Sequence, residues 1–341
     1  MHFSYVSQNY LCMNPLKILK ICFTGLIAGS LLFSYFYFIN TNFTNNSKAE
    51  INLSNEIAMA EIPAAPSFLT PMAKDSIRPL SAFWSPNLLH NLNKTIGANA
   101  TWTKLISSKK MVLGVVDLTD KLNPRFASIN GDEMMYAASL PKIAVLLAAE
   151  DALDKGEIEH TDRLEEDMRL MISKSNNQAT TRIIDLLGFE KIEDVVTNKE
   201  YNFYNEENGG GLWVGKRYAA GGATNREPIK NLSHAATANQ VCRFYYQLIN
   251  HNLISESRSE HMLSMLEAPE INHKFVNSLT KIDPDAKLFR KSGTWKTWHA
   301  DSVLVWGESR KYILVALIND GRGEQIIRDL VEPLDQVILM N

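Results

Sequence analysis

Ser139-Leu-Pro-Lys-Ile-Ala-Val-Leu-Leu-Ala-Ala-Glu-Asp-Ala-Leu153 is the stretch on which the reading of this chain turns. The run from Ile143 to Leu153 is apolar on nearly every side, as a helix buried inside a domain would be. Pro141 suits the first turn of such a helix, where its missing N–H costs nothing. Residues three apart share a helical face, so Lys142 can reach Ser139. A serine hydroxyl is a poor nucleophile until a base removes its proton. A lysine kept out of water has a lowered pKa and can be that base. The helix N-terminus adds positive potential where an oxyanion would form. Ser107–Lys110 and Ser278–Lys281 repeat the spacing, but only Ser139 stands between a strand pair and an apolar helix.

Outward from this helix the pattern changes twice. Before it, a helix is expected near Pro86 to Ile96, then strands over Lys110 to Leu118 and Arg125 to Ile129, with turn residues at Asp120 to Asn123. From Ser139 to about Ile254 nearly everything reads helical, including Leu164 to Leu187, ending at Gly188, and Ala235 to Ile249. Strands return at Lys287 to Trp295, Asp301 to Trp306 and Tyr312 to Asn319, and a last helix runs from Gly323 to Met340. The fold class is therefore α/β in the α+β sense. One antiparallel sheet is built from both chain ends and flanked by terminal helices, with an all-helical lobe inserted. A cleft is expected where the lobes meet.

Two further polar clusters stand out. Ser175-Asn176-Asn177 lies in the helical middle, where a hydroxyl and an amide two residues apart could face one substrate from an interhelical loop. Read alone, it is equally a helix cap, and Ser7–Asn9, Ser85–Asn87 and Ser128–Asn130 share its form. Lys291-Ser292-Gly293-Thr294 falls on a late strand and is the one Lys-[Ser/Thr]-Gly in the chain. A strand glycine lets a substrate backbone come close. A lysine with two hydroxyls beside it makes a carboxylate site.

Composition narrows the class. The 341 residues carry 35 Lys and Arg against 38 Asp and Glu, a net charge of -3. No basic stripe points to nucleic acid. Of three cysteines, Cys12, Cys22 and Cys242, only the last lies in the folded part, which excludes a disulfide framework. No HExxH or CxxC spacing is present, so neither a metal nor another cofactor is expected. Ile21 to Ile39 is uncharged and apolar behind Lys17 and Lys20. Residues 1–40 thus read as a membrane anchor or a signal segment, and the lysines would stay cytoplasmic. Residues 41–80, with Ile62-Pro-Ala-Ala-Pro66, read as a flexible linker. The domain is assigned to 81–341, outside the cytoplasm, as a monomer.

The order of the three clusters resembles the penicillin-recognising acyl-serine hydrolases, and most closely the class A β-lactamase branch. The resemblance runs from about Trp84 to the C-terminus. It implies that Ser139 attacks a lactam or amide carbonyl and that Lys142 accepts its proton. Ser175 would relay a proton to the leaving nitrogen, with Lys291 holding the network. Asn177 would hold the amide of the acyl side chain. Ser292 and Thr294, on either side of Gly293, would bind the substrate carboxylate, and the N–H groups of Ser139 and Thr294 would form the oxyanion hole. The implied ligands are β-lactams or peptidoglycan stem peptides ending in a D-Ala-D-Ala-like bond.

Two departures qualify that expectation. Ser139 and Ser175 are closer in sequence than in the typical class A enzyme. The Glu-x-x-Leu-Asn that would supply a deacylating base is missing; Gly209-Gly-Gly-Leu-Trp-Val-Gly-Lys-Arg-Tyr-Ala-Ala-Gly-Gly222 stands in its place. Glu206, Glu207 and Glu227 flank this segment, as substitutes or as solvated loop charges. Acylation is then expected to outrun deacylation, which favours a penicillin-binding hydrolase or D-alanyl peptidase over an efficient lactamase. A receptor that is acylated without useful turnover is the competing expectation.

Overall fold

The computed structural model describes residues 77–218 and 221–340. The leader expected over 1–40, and all of the expected linker up to residue 76, lie outside the described residues. No helix among the described residues is long and apolar enough to cross a membrane.

The order of elements is α1 (Pro86–Gly97), α2 (Ala100–Ser107), β1 (Met111–Asp117), β2 (Arg125–Ile129), β3 (Met135–Tyr136), α3 (Lys142–Asp154), α4 (Asp162–Ser173) and α5 (Asn177–Thr197). Short strands β4 (Tyr204–Asn205), β5 (Gly210–Gly211), β6 (Trp213–Val214) and β7 (His234–Ala236) follow. Then come α6 (Ala238–Ile249), α7 (Glu256–Leu266), α8 (Phe275–Ile282), β8 (Lys287–Trp295), β9 (Trp298–Trp306), β10 (Lys311–Asn319) and α9 (Gly323–Leu339).

The main sheet has strand order β2-β1-β10-β9-β8 and is antiparallel throughout. Strands from both chain ends meet where β1 pairs with β10, Gly114 opposite Val315. Every residue of β1 is buried, because both faces of the sheet are covered. Met111, Leu113 and Val115 pack with Leu88 and Leu92 of α1, Leu279 of α8 and Leu330 of α9. Val112 and Val116 belong to the opposite core, with α3 and with Phe244 and Tyr245 of α6. Burial on two faces explains why β1 reads as a continuous apolar run rather than as an alternating one. Helix α3 is buried from Lys142 to Leu153, as its uniform apolarity requires.

Two sequence expectations need correction. The helical reading of 139–254 gives way over 204–236, where a small sheet of order β3-β7-β6 and a β4-β5 hairpin form. His234–Ala236 is strand, and α6 starts only at Ala238, with the Thr237 hydroxyl accepting from Gln240 N at 3.3 Å. The single helix expected over Leu164–Leu187 is broken at Ser175, which has φ +54°. Asn176 then caps α5 by accepting from Ala179 N at 2.9 Å. Gly188 does interrupt α5, with φ +78°.

Candidate active site

The three polar clusters come together around one cavity. β3 delivers the chain to a tight turn over Ala137–Pro141, with Leu140 N bonded to Ala137 O at 3.0 Å and Lys142 N to Ser139 O at 3.3 Å. Ser139 is half-buried on the wall of a cavity of about 690 Å³. Lys142 opens α3 immediately behind it, fully buried.

Lys142 Nζ donates to Ser175 O at 2.7 Å, Asn177 Oδ1 at 2.9 Å and Ser175 Oγ at 3.4 Å. The bond to Ser139 expected from helical spacing is not made among the described residues, because the loop ahead of α5 supplies acceptors that Nζ reaches first. Lys291 Nζ donates to the same Ser175 Oγ at 2.9 Å and to Ser292 O at 2.9 Å. One hydroxyl is thus shared by two buried ammonium groups. Burial pulls the Lys142 pKa down to about 7. Burial, then the charges of Lys142 and Arg290, push Lys291 well below the ordinary lysine range. Neutral amines are therefore accessible at physiological pH, which is what a general base for a serine needs.

Gly293 sets the approach of β8 to the serine turn. A Cβ there would lie 2.2 Å from Ala137 O and 2.6 Å from Ser139 N, so only glycine lets the strand pass. That closeness brings the next residue, Thr294, onto the cavity wall with Ser139 and Asn177. Ser292 is placed differently from its expected role. It is buried behind the wall, its Oγ 3.3 Å from His273 Nε2.

Sequence reasoning missed Lys274. It stands at the N-terminus of α8, fully buried, and donates to Gly293 O at 2.6 Å, Thr294 Oγ1 at 2.8 Å and Ala300 O at 3.0 Å. Burial lowers its pKa to about 8. The available signal was a lysine directly before an apolar helix, where the helix dipole disfavours a cation. Behind it, Arg290 and Asp301 form a buried bidentate pair, 2.6 and 3.1 Å, that locks β8 to β9.

Tyr218, from the glycine-rich segment, was also missed. Its hydroxyl donates to Ala138 O at 3.1 Å, and its ring faces Lys142 Nζ at 4.6 Å. It packs on His234, with ring centroids 4.2 Å apart. Among the described residues, no Asp or Glu lines the cavity. Glu227, one of the three suggested substitutes, is buried and accepts from the N–H groups of Ile229 (2.7 Å), Lys230 (2.9 Å) and Leu232 (2.7 Å). It organises its own loop, so it is neither a solvated charge nor a group on the cavity wall. Glu206 and Glu207 sit in a 3₁₀ turn, also away from that wall.

Among solved structures, a beta-lactamase from Sphaerobacter thermophilus superposes with a TM-score of 0.58 at 18% identity, covering 74% of this chain and 98% of that one. A protein described as PBP-A gives 0.56 at 17%, covering 76% and 98%. A single-substitution variant of PBP-A, in acyl-enzyme complex with penicillin-G, gives 0.56 at 17%, covering 78% and 100%. At such identities these likenesses speak to the fold. No curated protein sequence gives a significant match. The sequence pattern of the family described as "Beta-lactamase enzyme family" matches residues 99–169 and 163–337, which include all three clusters. By that match, over most of its length, the chain belongs to the beta-lactamase enzyme family.

Proposed function

We propose that the chain is an acyl-serine hydrolase, working on the outer side of a membrane to which its N-terminal segment tethers it. Its substrates would be β-lactams or the D-Ala-D-Ala-like amide of a peptidoglycan stem. One observation carries the reading: the Nζ atoms of Lys142 and Lys291 meet at Ser175 Oγ, 3.4 and 2.9 Å away, beside a cavity that exposes Ser139.

In this mechanism Ser139 Oγ attacks the carbonyl carbon as its proton passes to neutral Lys142. The N–H groups of Ser139 and Thr294 hold the developing oxyanion, and Gly293 sets their spacing. The C–N bond then breaks. The leaving nitrogen takes a proton from Ser175 Oγ, which is resupplied by the lysine that gained one. Asn177 Oδ1 is engaged by Lys142, so its amide N–H₂ is the part left to contact an acyl side chain. The substrate carboxylate would lie against Thr294, with Lys274 behind it and Ser292 at longer range. Water finally hydrolyses the ester.

Among the described residues, no carboxylate lines the cavity to activate that water. The same observation favours a second reading, a penicillin-binding sensor or peptidoglycan-binding module that acylates without useful turnover. Intact mass spectrometry with benzylpenicillin decides. A stable adduct of the drug's full mass, absent in Ser139→Ala, supports slow hydrolysis or sensing. Rapid drug loss with no adduct would establish a true lactamase. No adduct and no hydrolysis, from folded protein, would sink the penicillin-recognising assignment.

A further inference from the structure

Away from the cavity, a loop and two helices bring three metal-binding side chains together. His160 lies in the connection before α4, Glu165 in the first turn of α4, and His261 on α7. His160 Nε2 and His261 Nε2 approach one carboxylate oxygen, Glu165 Oε2, at 3.1 and 3.0 Å. All three donor atoms lie within 4.8 Å of one another. In a tetrahedral zinc site with bonds near 2.0–2.1 Å, neighbouring ligand atoms are about 3.3 Å apart. The two histidine–carboxylate separations already match that spacing, and the third, between the two Nε2 atoms, lies within 4.8 Å.

The ligands are also held from behind. His261 is buried, and its far ring nitrogen, Nδ1, lies 2.5 Å from Glu150 Oε1 on α3. Glu150 is fully buried and takes a further bond from Arg258 at 3.2 Å. The second oxygen of Glu165 is fixed by Arg169 at 3.1 Å. A carboxylate behind a histidine ring fixes the tautomer that leaves Nε2 free to coordinate, and it raises ligand basicity. Two imidazoles and one carboxylate suit a zinc-like ion and not the all-oxygen shells of calcium or magnesium. No local motif announces the set, because its ligands come from separate elements, and so no metal was expected from sequence patterns alone.

We propose that His160, Glu165 and His261 form a divalent zinc-class metal site, with Glu150 as the positioning residue behind His261 and a fourth position open to water. The ion would staple the α3–α4 connection to α7. None of its donors lines the cavity that holds Ser139, so its role would be structural. The competing state is a protonated His261 shared between Glu150 and Glu165, with no metal.

The test titrates the chelator-treated full chain with Zn²⁺ by calorimetry and with Co²⁺ by visible absorption. Expected are one saturable Zn²⁺ site, a tetrahedral Co²⁺ spectrum and a higher melting temperature with Zn²⁺. The exposed His160→Ala and Glu165→Gln should weaken affinity at least ~100-fold, and Glu150→Gln about 10- to 100-fold. Each variant's circular-dichroism spectrum is checked for an intact fold. Absence of saturable binding in the unmodified chain overturns the proposal. So does affinity unchanged in both His160→Ala and Glu165→Gln. His251, Glu256 and Glu260 form another possible donor group; binding lost in His251→Ala but kept in His160→Ala would assign the ion there and also overturn it.

Discussion

In the proposed mechanism, Lys142 is the residue whose protonation decides the chemistry. Burial brings its pKa down to about 7, so the neutral amine prevails above that pH and the ammonium below. Acylation by that mechanism would need the neutral form. Its rate should climb about tenfold per pH unit below 7 and level off above it. A nitrocefin or benzylpenicillin acylation profile checks this; a rate that is flat from pH 5 to 8 would exclude Lys142 as the base. Gly293 is the steric counterpart. Gly293→Ala would press a methyl against Ala137 O and Ser139 N, both backbone atoms that cannot rotate away. The variant should lose about 2–3 kcal/mol of stability, and its acylation should fall far more than any loss of folded protein explains, as melting curves beside acylation rates would reveal. Both residues were legible as sequence, because Ser-x-x-Lys and Lys-Ser-Gly are short, locally spaced patterns. Lys274 and Tyr218 were not. They reach the site from a helix start and a glycine-rich loop, and their partners lie elsewhere in the chain.

Among elements, β8 contributes the most residues to the candidate site. Lys291 points to the Ser175 loop, Gly293 admits the serine turn, and Thr294 faces the cavity while Lys274 holds its hydroxyl from α8. Replacing Lys274 by Met should weaken acylation by carboxylate-bearing β-lactams about 10- to 100-fold, the scale of a lost charged hydrogen bond. Amide or thioester substrates without that carboxylate should be affected much less. Equal losses for both would make Lys274 a strut for β8 and not an anion anchor. The long strands β8, β9 and β10 were readable since each spans enough apolar residues to declare itself. The two- and three-residue strands β3–β7 were not. Such short pieces carry no periodicity, and their pairing is set by distant partners such as Tyr136 opposite Ala235.

At the scale of the whole molecule, one sheet serves two cores. α1, α2, α8 and α9 cover one face; α3 and the helices around it cover the other. The inserted-lobe architecture followed from where strand-like segments fall along the chain. The small second sheet did not. A chain shortened to residues 77–341 contains both layers. It should purify as a soluble monomer and acylate within about twofold of the full-length rate. Aggregation of that fragment, or its failure to acylate, would show that the first 76 residues complete the fold.

The buried cations of the site have a practical consequence. Lys142, Lys274, Arg290 and Lys291 are all withdrawn from water, and the one buried carboxylate among their neighbours, Asp301, is already committed to Arg290. Below about pH 7, where Lys142 holds its proton, such an imbalance draws small oxyanions without regard to their identity. Sulfate or phosphate in a buffer would act as a decoy in the substrate's place, so the choice of assay salt can masquerade as poor intrinsic reactivity.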